Sequence, residues 1–166
     1  ILLALMLNYV GRSGARRTLQ TVFYAPNFIS VTVVASMIFI MLSPSSGVVN
    51  HLIRLAGREP VFFMAEPGWF YHVFALSTIW QFTGLNAIIY LGVLTSIDPG
   101  LHESARIDGA GKLRRILAID LPVMVPTMTV LLILNFGRIM FVGFDRAFLL
   151  QTPLNLSASE VIPTYI

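Results

Sequence analysis

The sequence is poor in charge and contains no cysteine. Only 11% of its 166 residues are charged, whereas soluble domains carry about 25%, because a surface that faces water needs charge to stay dispersed. This shortage, together with 56% hydrophobic residues and a mean hydropathy of +0.79, indicates that much of the surface meets lipid or other apolar helices. The absence of cysteine excludes disulfides and thiolate metal sites.

Residue patterns for catalysis and for nucleotide binding are also missing. No serine or carboxylate stands in a nucleophile or paired-acid context. The run Gly109–Lys112 looks like part of a phosphate-binding loop, but Arg106 stands where that motif needs its first glycine and Leu113 where it needs Ser or Thr. The sequence therefore predicts a chain that is not an enzyme and that holds no cofactor.

The histidines and the basic residues do not indicate further ligands. The histidines have no second ligand at metal-binding spacing, so we expect no metal site, and we expect His102 to be a solvated surface residue. The net charge is +3, but the basic residues are few and sit beside apolar segments, as membrane topology demands. We therefore expect no nucleic-acid partner.

Long apolar runs predict an all-α, polytopic membrane protein. A helix needs roughly 20 apolar residues to cross a bilayer, and three runs approach or exceed that length: about 25–42, 70–97 and 123–144. Shorter runs at about 1–10 and 161–166 are interpreted as the tail of one helix and the start of another, in a single transmembrane domain (1–166) truncated at both ends. β-Barrel strands are the alternative, but they are short and alternating, unlike these runs.

Basic residues orient the predicted spans. The segments 11–24 and 98–122 contain most of the arginine and lysine, and positive residues collect on the cytoplasmic side of a membrane. We therefore expect those segments in the cytoplasm and the loop 43–69 outside. The external loop is predicted to contain a short amphipathic helix over 48–57 that ends at a glycine, and Trp69 is predicted to anchor the next span at the membrane interface.

The most informative segment is the charged loop 98–122. Asp98-Pro99 is typical of a helix start, and a short amphipathic helix is predicted over 101–106. Gly109 and Gly111 are expected to allow a sharp change of direction, before a second short helix that leads to Pro122, where the next span is predicted to open. Such a helix–turn–helix favours docking by a soluble partner; the alternative is a plain solvated loop.

This segment resembles the EAA loop of ABC importer membrane subunits. Two departures are mild: Ser104 replaces the second small residue, and Ile116 stands where an aromatic is common. The matching residues are Glu103, Ala105, Asp108, Gly109, Ala110, Ile119, Leu121 and Pro122. Other phrases are similar to permeases of polysaccharide and oligosaccharide importers: Tyr24–Ser30, Leu42–Pro44, Ile97–Pro99 and Gly143–Asp145.

The resemblance implies a fragment of a six-helix-type ABC importer transmembrane domain with a cytoplasmic coupling helix. It implies a sugar or oligosaccharide permease subunit in a bacterial inner (plasma) membrane, and import as the direction of transport. The resemblance implies three kinds of partner: ABC ATPase subunits, a second permease and an extracytoplasmic solute-binding protein. The ATPase subunits would hold ATP and magnesium, and the second permease would form a heterodimer with this chain. The residues assigned to ATPase coupling are Glu103, Ser104, Ala105, Asp108, Gly109, Ala110, Ile119, Leu121 and Pro122.

Polar side chains inside the predicted spans are candidates for the solute path, because such groups are costly in hydrocarbon and usually face a cavity or a bundle interior. The candidates are Trp80, Gln81, Asn86, Asn135 and Arg138. Contact between helices is the alternative for the amides. Arg138 is hypothesised to face the path, to extend toward water, or to pair with Asp145.

Two alternatives to a sugar permease stay open. The first alternative is a permease of the same architecture for a non-sugar solute, because the loop motif indicates coupling to an ATPase and does not indicate the cargo. A membrane scaffold without transport function is the other.

Overall fold

The computed structural model describes residues 1–11, 13–138 and 143–161. Every regular element in those ranges is a helix, which confirms the all-α prediction. The helices are α1 (Leu2–Asn8), α2 (Ser13–Tyr24), a 3-10 turn (Ala25–Phe28), α3 (Val31–Leu42), α4 (Val48–Leu55), α5 (Pro67–Thr95), α6 (Pro99–Ile107), α7 (Lys112–Arg115), a π-helical segment (Ile116–Asp120), α8 (Leu121–Arg138), α9 (Phe144–Leu150) and α10 (Leu156–Ser159).

Two helices in the described ranges are long and apolar enough to cross a membrane. One is α5, and the other is the continuous helix Lys112–Gly137 that α7, the π segment and α8 build. The number rises to three if Gly14–Phe28 and Val31–Leu42, which are separated by a sharp break, together form one span. The predicted span 25–42 consists of the 3-10 turn followed by α3. Ser30 caps α3, because its side chain accepts a hydrogen bond from the Val33 N–H over 3.3 Å.

The helix of the third predicted span begins eleven residues before the expected start. It starts at Lys112 rather than at residue 123, and Pro122 lies inside it instead of opening it. Pro122 has no N–H to donate to the carbonyl one turn earlier, and its ring crowds that carbonyl. The helix widens to π geometry immediately before this proline, which is a way of accommodating the missing bond without breaking the helix.

The chain folds into two compact units. The first comprises Ile1–Asn27 and the described part of Phe82–Met140. Its core is built by α1, the second half of α5 and α8, which contribute Ala4, Leu7, Ala87, Leu91, Leu94 and Met124. The α5 residues among them are spaced four and three apart, so they form one apolar stripe.

The second unit comprises Phe28–Gln81 and the described part of Phe141–Ile166. Its core joins α3, the first half of α5 and α9 through Ala35, Phe70, Ala147 and Leu150. The amphipathic helix predicted in the loop 43–69 is confirmed as α4, and Gly57 behind it has a positive φ of 74°. Trp69 lies in the first turn of α5 and is about two-fifths exposed.

Parts of three predictions lie outside the described residues. These are the end of the span 123–144, where residues 139–142 are not described, the helix start at 161–166 beyond Val161, and the contacts of the Arg138 side chain.

Candidate functional site

The segment 98–122, called the elbow from here on, begins with a capped helix. The Asp98 carboxylate accepts from the Gly100 N–H over 2.9 Å. Pro99 occupies the first helical position, where its missing N–H leaves no bond unmade. The predicted helix start at Asp98-Pro99 is thereby confirmed.

At its other end α6 stops in a Schellman motif that only glycine accommodates easily. The Ala110 N–H donates to the Ala105 carbonyl over 2.8 Å, and the Gly109 N–H donates to the Arg106 carbonyl over 3.0 Å. This pairing requires a left-handed backbone at the residue directly after the C-cap Asp108. That residue is Gly109, which has a φ of +77°. Gly111, by contrast, has a φ of −65°, so the change of direction depends on Gly109 alone.

The inner corner of the elbow is hollow. A concavity of about 210 Å³ lies between α6 and the beginning of the next helix. Its lining combines three alanines with three charged side chains and one isoleucine: Ala105, Ala110, Ala118, Asp108, Arg114, Arg115 and Ile119. A side chain of another protein has room to enter this corner.

Most residues of the EAA-like motif face outward. Glu103, Ser104, Asp108, Gly109 and Pro122 are exposed. The remaining motif residues are half-buried: Ala105, Ala110, Ile119 and Leu121. The structure thus places the motif on one continuous stretch of chain, with its polar members available to a partner.

Four large apolar side chains on the elbow are exposed, and sequence reasoning missed them. Ile107 is 87% exposed and Leu113 is 70% exposed, whereas Leu117 and Leu101 are 56% and 51% exposed. Apolar side chains grouped in an otherwise charged, water-facing segment mark a protein interaction surface. The available signal was their position inside a run of charged residues.

A buried carboxylate lies at the base of the elbow. Asp120 is 0% exposed. Its Oδ2 atom accepts from the Tyr9 hydroxyl over 2.8 Å, and its Oδ1 atom lies 3.2 Å from His102 Nε2. The expectation that His102 is a solvated residue is therefore wrong: its side chain is only 21% exposed, because it packs over Asp120.

Tyr9 and Arg115 complete this cluster. The Arg115 guanidinium carbon lies 5.9 Å from the centre of the Tyr9 ring, within cation–π distance. A phenol keeps its proton at neutral pH, because its ordinary pKa is about 10, so the Tyr9 hydroxyl acts as the donor to Asp120. Sequence reasoning missed the pair because 111 positions separate Tyr9 from Asp120.

Among the path candidates, Gln81 is held inside its unit. Its side chain is 2% exposed, and its Nε2 donates to the Ile29 carbonyl over 2.7 Å. Its Oε1 accepts from Arg146, whose other terminal nitrogen donates to Ser77 Oγ over 3.0 Å. Both polar atoms of Gln81 are thus used to join α5 to α9 and to the backbone before α3, which is the geometry of a packing contact.

Arg146 lies beyond the predicted span 123–144, and sequence reasoning missed its role. It is only 5% exposed and lies in the middle of α9. The available signal was an arginine directly before the apolar run Ala147–Leu150, because a charge beside such a run needs partners.

Three of the other path candidates are more exposed than Gln81. Trp80 is 48% exposed and borders an open apolar groove of about 500 Å³ that is lined by α3, α4 and the first half of α5. Asn86 and Asn135 are exposed, and Asn135 Nδ2 donates back to the Leu131 carbonyl of its own helix over 2.7 Å. Arg138 is the last residue of α8.

The three candidates on α5 do not share one face of the helix. Each residue turns the helix by about 100°, so Gln81 points about 100° away from Trp80. Asn86 points about 120° away from Trp80 on the other side.

The chain matches the sequence profile of the family described as binding-protein-dependent transport system inner membrane component over residues 1–149. It is 39% identical over 166 residues to the polygalacturonan/rhamnogalacturonan transport system permease protein YteP of Bacillus subtilis strain 168. This match covers 100% of the chain and 52% of the relative.

Two crystal structures of a bacterial ABC transporter involved in alginate import are similar over 99% of this chain and 57% of theirs. The identity is 43% in both, with TM-scores of 0.96 and 0.95. The second structure contains a periplasmic protein that carries an alginate pentasaccharide. The chain spans about half the length of these proteins.

Proposed function

The chain belongs to the family of binding-protein-dependent transport system inner membrane components, and from this premise we propose that it is part of a permease subunit of an ATP-driven ABC importer. The proposed cargo is a sugar or oligosaccharide. Support comes from the relative named for polygalacturonan and rhamnogalacturonan and from the alginate importer.

We propose that the elbow docks onto a separate ATPase subunit. The single observation that carries this proposal is the exposed surface of the elbow. That surface combines the outward-facing motif residues with Ile107 and Leu113, which are 87% and 70% exposed. Apolar side chains with charged neighbours and a hollow corner suit a partner that inserts side chains between the two arms.

The rest of the proposed assembly follows from the family. A second permease pairs with this subunit, and an extracytoplasmic binding protein delivers the solute. This last point has support in the periplasmic protein bound to the alginate transporter. ATP and magnesium are held by the ATPase subunits, so this chain takes no catalytic step and needs no cofactor of its own.

For the solute path we propose Trp80 as an aromatic contact, because a half-exposed indole offers a flat apolar face to the C–H face of a sugar ring. Asn86, Asn135 and Arg138 stay candidates for hydrogen bonding, whereas Gln81 acts by holding α9. Uptake of alginate or polygalacturonate oligosaccharides that is unchanged in Trp80→Ala would remove Trp80 from the path.

The docking proposal is tested by two glycine substitutions in the elbow of the full-length permease. Gly109→Ala is strained by about 1–2 kcal/mol because the φ of +77° is left-handed. A relaxed, undocked elbow relieves that strain, so we expect the affinity for the ATPase subunit to fall about 5- to 30-fold. Binding is measured by titrating purified ATPase subunit onto the permease in lipid nanodiscs.

Gly111→Ala is the matched control. Its Cβ meets nothing within 4 Å and its φ is an ordinary −65°, so we expect binding close to that of the unsubstituted protein. Equal affinities for the two variants would contradict docking through this elbow.

A further inference from the structure

Asp120 is a buried carboxylate that depends on two side chains. A carboxylate removed from water is costly unless it is paired and hydrogen-bonded. The Tyr9 hydroxyl satisfies Oδ2 at 2.8 Å. His102 Nε2 lies 3.2 Å from Oδ1, at ion-pair distance. The contact does not have the geometry of a hydrogen bond, so Oδ1 has no hydrogen-bond partner among the described residues and depends on His102 as its polar neighbour.

These side chains come from distant parts of the sequence. Tyr9 follows the last residue of α1, His102 lies in α6, and Asp120 ends the π segment that leads into α8. The Asp120 carboxylate therefore connects α6, the first helix of the elbow, to α1 and α8.

The attachment of α6 is otherwise thin. No residue of α6 is buried, and within its nine residues only His102 and Ala105 are even half-shielded. They are three positions apart and so lie on one helix face. Ala105 offers a single methyl group, so His102 provides the only polar link from α6 to Asp120.

The π segment places Asp120 at this junction. It ends at Asp120, directly before α8, and π-helical turns occur frequently at functional positions because they change the direction of a side chain within a continuous helix. A displacement of α6 that keeps His102 on Asp120 must therefore move the base of α8. A displacement that breaks the contact leaves a buried carboxylate oxygen unpaired.

We propose that His102 is a positioning residue that transmits movement of the elbow to the membrane helices through Asp120 and Tyr9. This inference rests on the proposed docking of the ATPase at the elbow. Coupling of this kind needs a physical link whose two ends are moved together, and the His102–Asp120–Tyr9 contact is such a link.

The test measures a nucleotide-driven change in α8. These 166 residues contain no cysteine, and any cysteine elsewhere in the full-length permease or its partners is replaced by serine. A single Val130→Cys substitution on α8 then reports the accessibility of that helix to a fluorescent maleimide. The full-length permease is assembled with its partner permease and ATPase subunits in proteoliposomes. The labelling rate is compared with and without a non-hydrolysable ATP analogue. In His102→Leu we expect the nucleotide-induced change in rate to fall about tenfold, the scale of a typical coupling between sites.

Three further variants isolate the contact. His102→Gln keeps one donor for Asp120 and should retain part of the response. Tyr9→Phe removes the other donor and should reduce the response several-fold. His51→Leu, at an exposed histidine outside the cluster, should respond as the unsubstituted protein does.

The outcomes separate this inference from the docking proposal. Retained ATPase binding with a lost response in His102→Leu supports the inference. A full response in His102→Leu overturns the inference and leaves the docking proposal standing. Loss of ATPase binding in His102→Leu also overturns the inference, because His102 would then act at the docking surface. Failure of the unsubstituted permease to bind the ATPase overturns both. If His102→Leu does not accumulate in the membrane, full responses in His102→Gln and Tyr9→Phe together overturn the inference.

Discussion

Asn50 holds the loop between α3 and α5 together. It is completely buried, and its Nδ2 donates to the carbonyls of Leu42, Ser43 and Val61 over 3.0–3.2 Å. Its Oδ1 accepts from the Val61 N–H over 2.7 Å. One side chain thus replaces the backbone pairing that an irregular loop lacks.

We expect Asn50→Ala to lower the free energy of unfolding by about 2–3 kcal/mol, because several buried backbone groups lose their partner. The measurement is thermal unfolding of the purified permease in detergent. His51→Ala, at the exposed neighbouring position, is the control and should change stability by less than about 0.5 kcal/mol. Equal effects of the two substitutions would contradict this role of Asn50.

Arg146 is a buried cation whose guanidinium joins Ser77 and Gln81. We expect Arg146→Met to destabilise the protein by about 1–3 kcal/mol, because the neutral Gln81 Oε1 loses its donor inside the fold. Arg146→Lys should be intermediate, since one ammonium group does not reproduce the fork of a guanidinium.

The same thermal unfolding measurement checks this expectation. Arg58→Met serves as its control because Arg58 is exposed. A melting temperature of Arg146→Met equal to that of the control would show that the buried contact contributes nothing to stability.

At the scale of elements, a close approach decides how the end of α2 packs on α5. A Cβ at Gly84 would overlap the backbone carbonyl of Phe23. Small residues at such positions let membrane helices approach each other closely. Gly92, two turns further along α5, has nothing within 4 Å of its Cβ position.

The two glycines of α5 are therefore predicted to respond in opposite ways. Gly84→Ala should lower the free energy of unfolding by about 1–3 kcal/mol, since backbone must move to relieve the overlap. Gly92→Ala should be neutral or raise it by up to about 1 kcal/mol through helix propensity. Protease resistance and thermal unfolding of the two variants check this, and a neutral Gly84→Ala would contradict the close approach.

At the scale of the whole molecule, the loop 43–69 and the elbow are predicted to lie on opposite sides of the membrane. Arginine and lysine are concentrated in the elbow and in residues 11–24, which favours the cytoplasm for both. The exposed positions Ala56 and Ser104 are suitable places for single cysteines.

Labelling with a membrane-impermeant maleimide tests this topology. In right-side-out vesicles we expect Ala56→Cys to react and Ser104→Cys to be protected, and the reverse in inverted vesicles. Labelling of both from the same side would contradict the orientation.

Much of the architecture was predictable from the sequence, because hydrophobicity and local backbone chemistry act over short distances. The low charge and the apolar runs led to an all-helical membrane protein, which the structure and the family match support. Asp98-Pro99 and Gly109 marked the two ends of α6, since capping and a positive φ are local requirements. The α4 helix was predicted for the same reason.

Only the tertiary structure decided which distant side chains meet. The pairing of Tyr9 with Asp120, of His102 with the same carboxylate, and of Arg146 with Gln81 joins segments separated by up to 111 positions, and no local pattern encodes such pairs. The continuation of the helix through Pro122 was also decided by the tertiary structure. A proline by itself favours a helix start, and only the observed π turn before it shows that the helix continues. Periodicity and capping are properties of neighbouring residues, whereas the partner of a buried charge is set by how the helices pack.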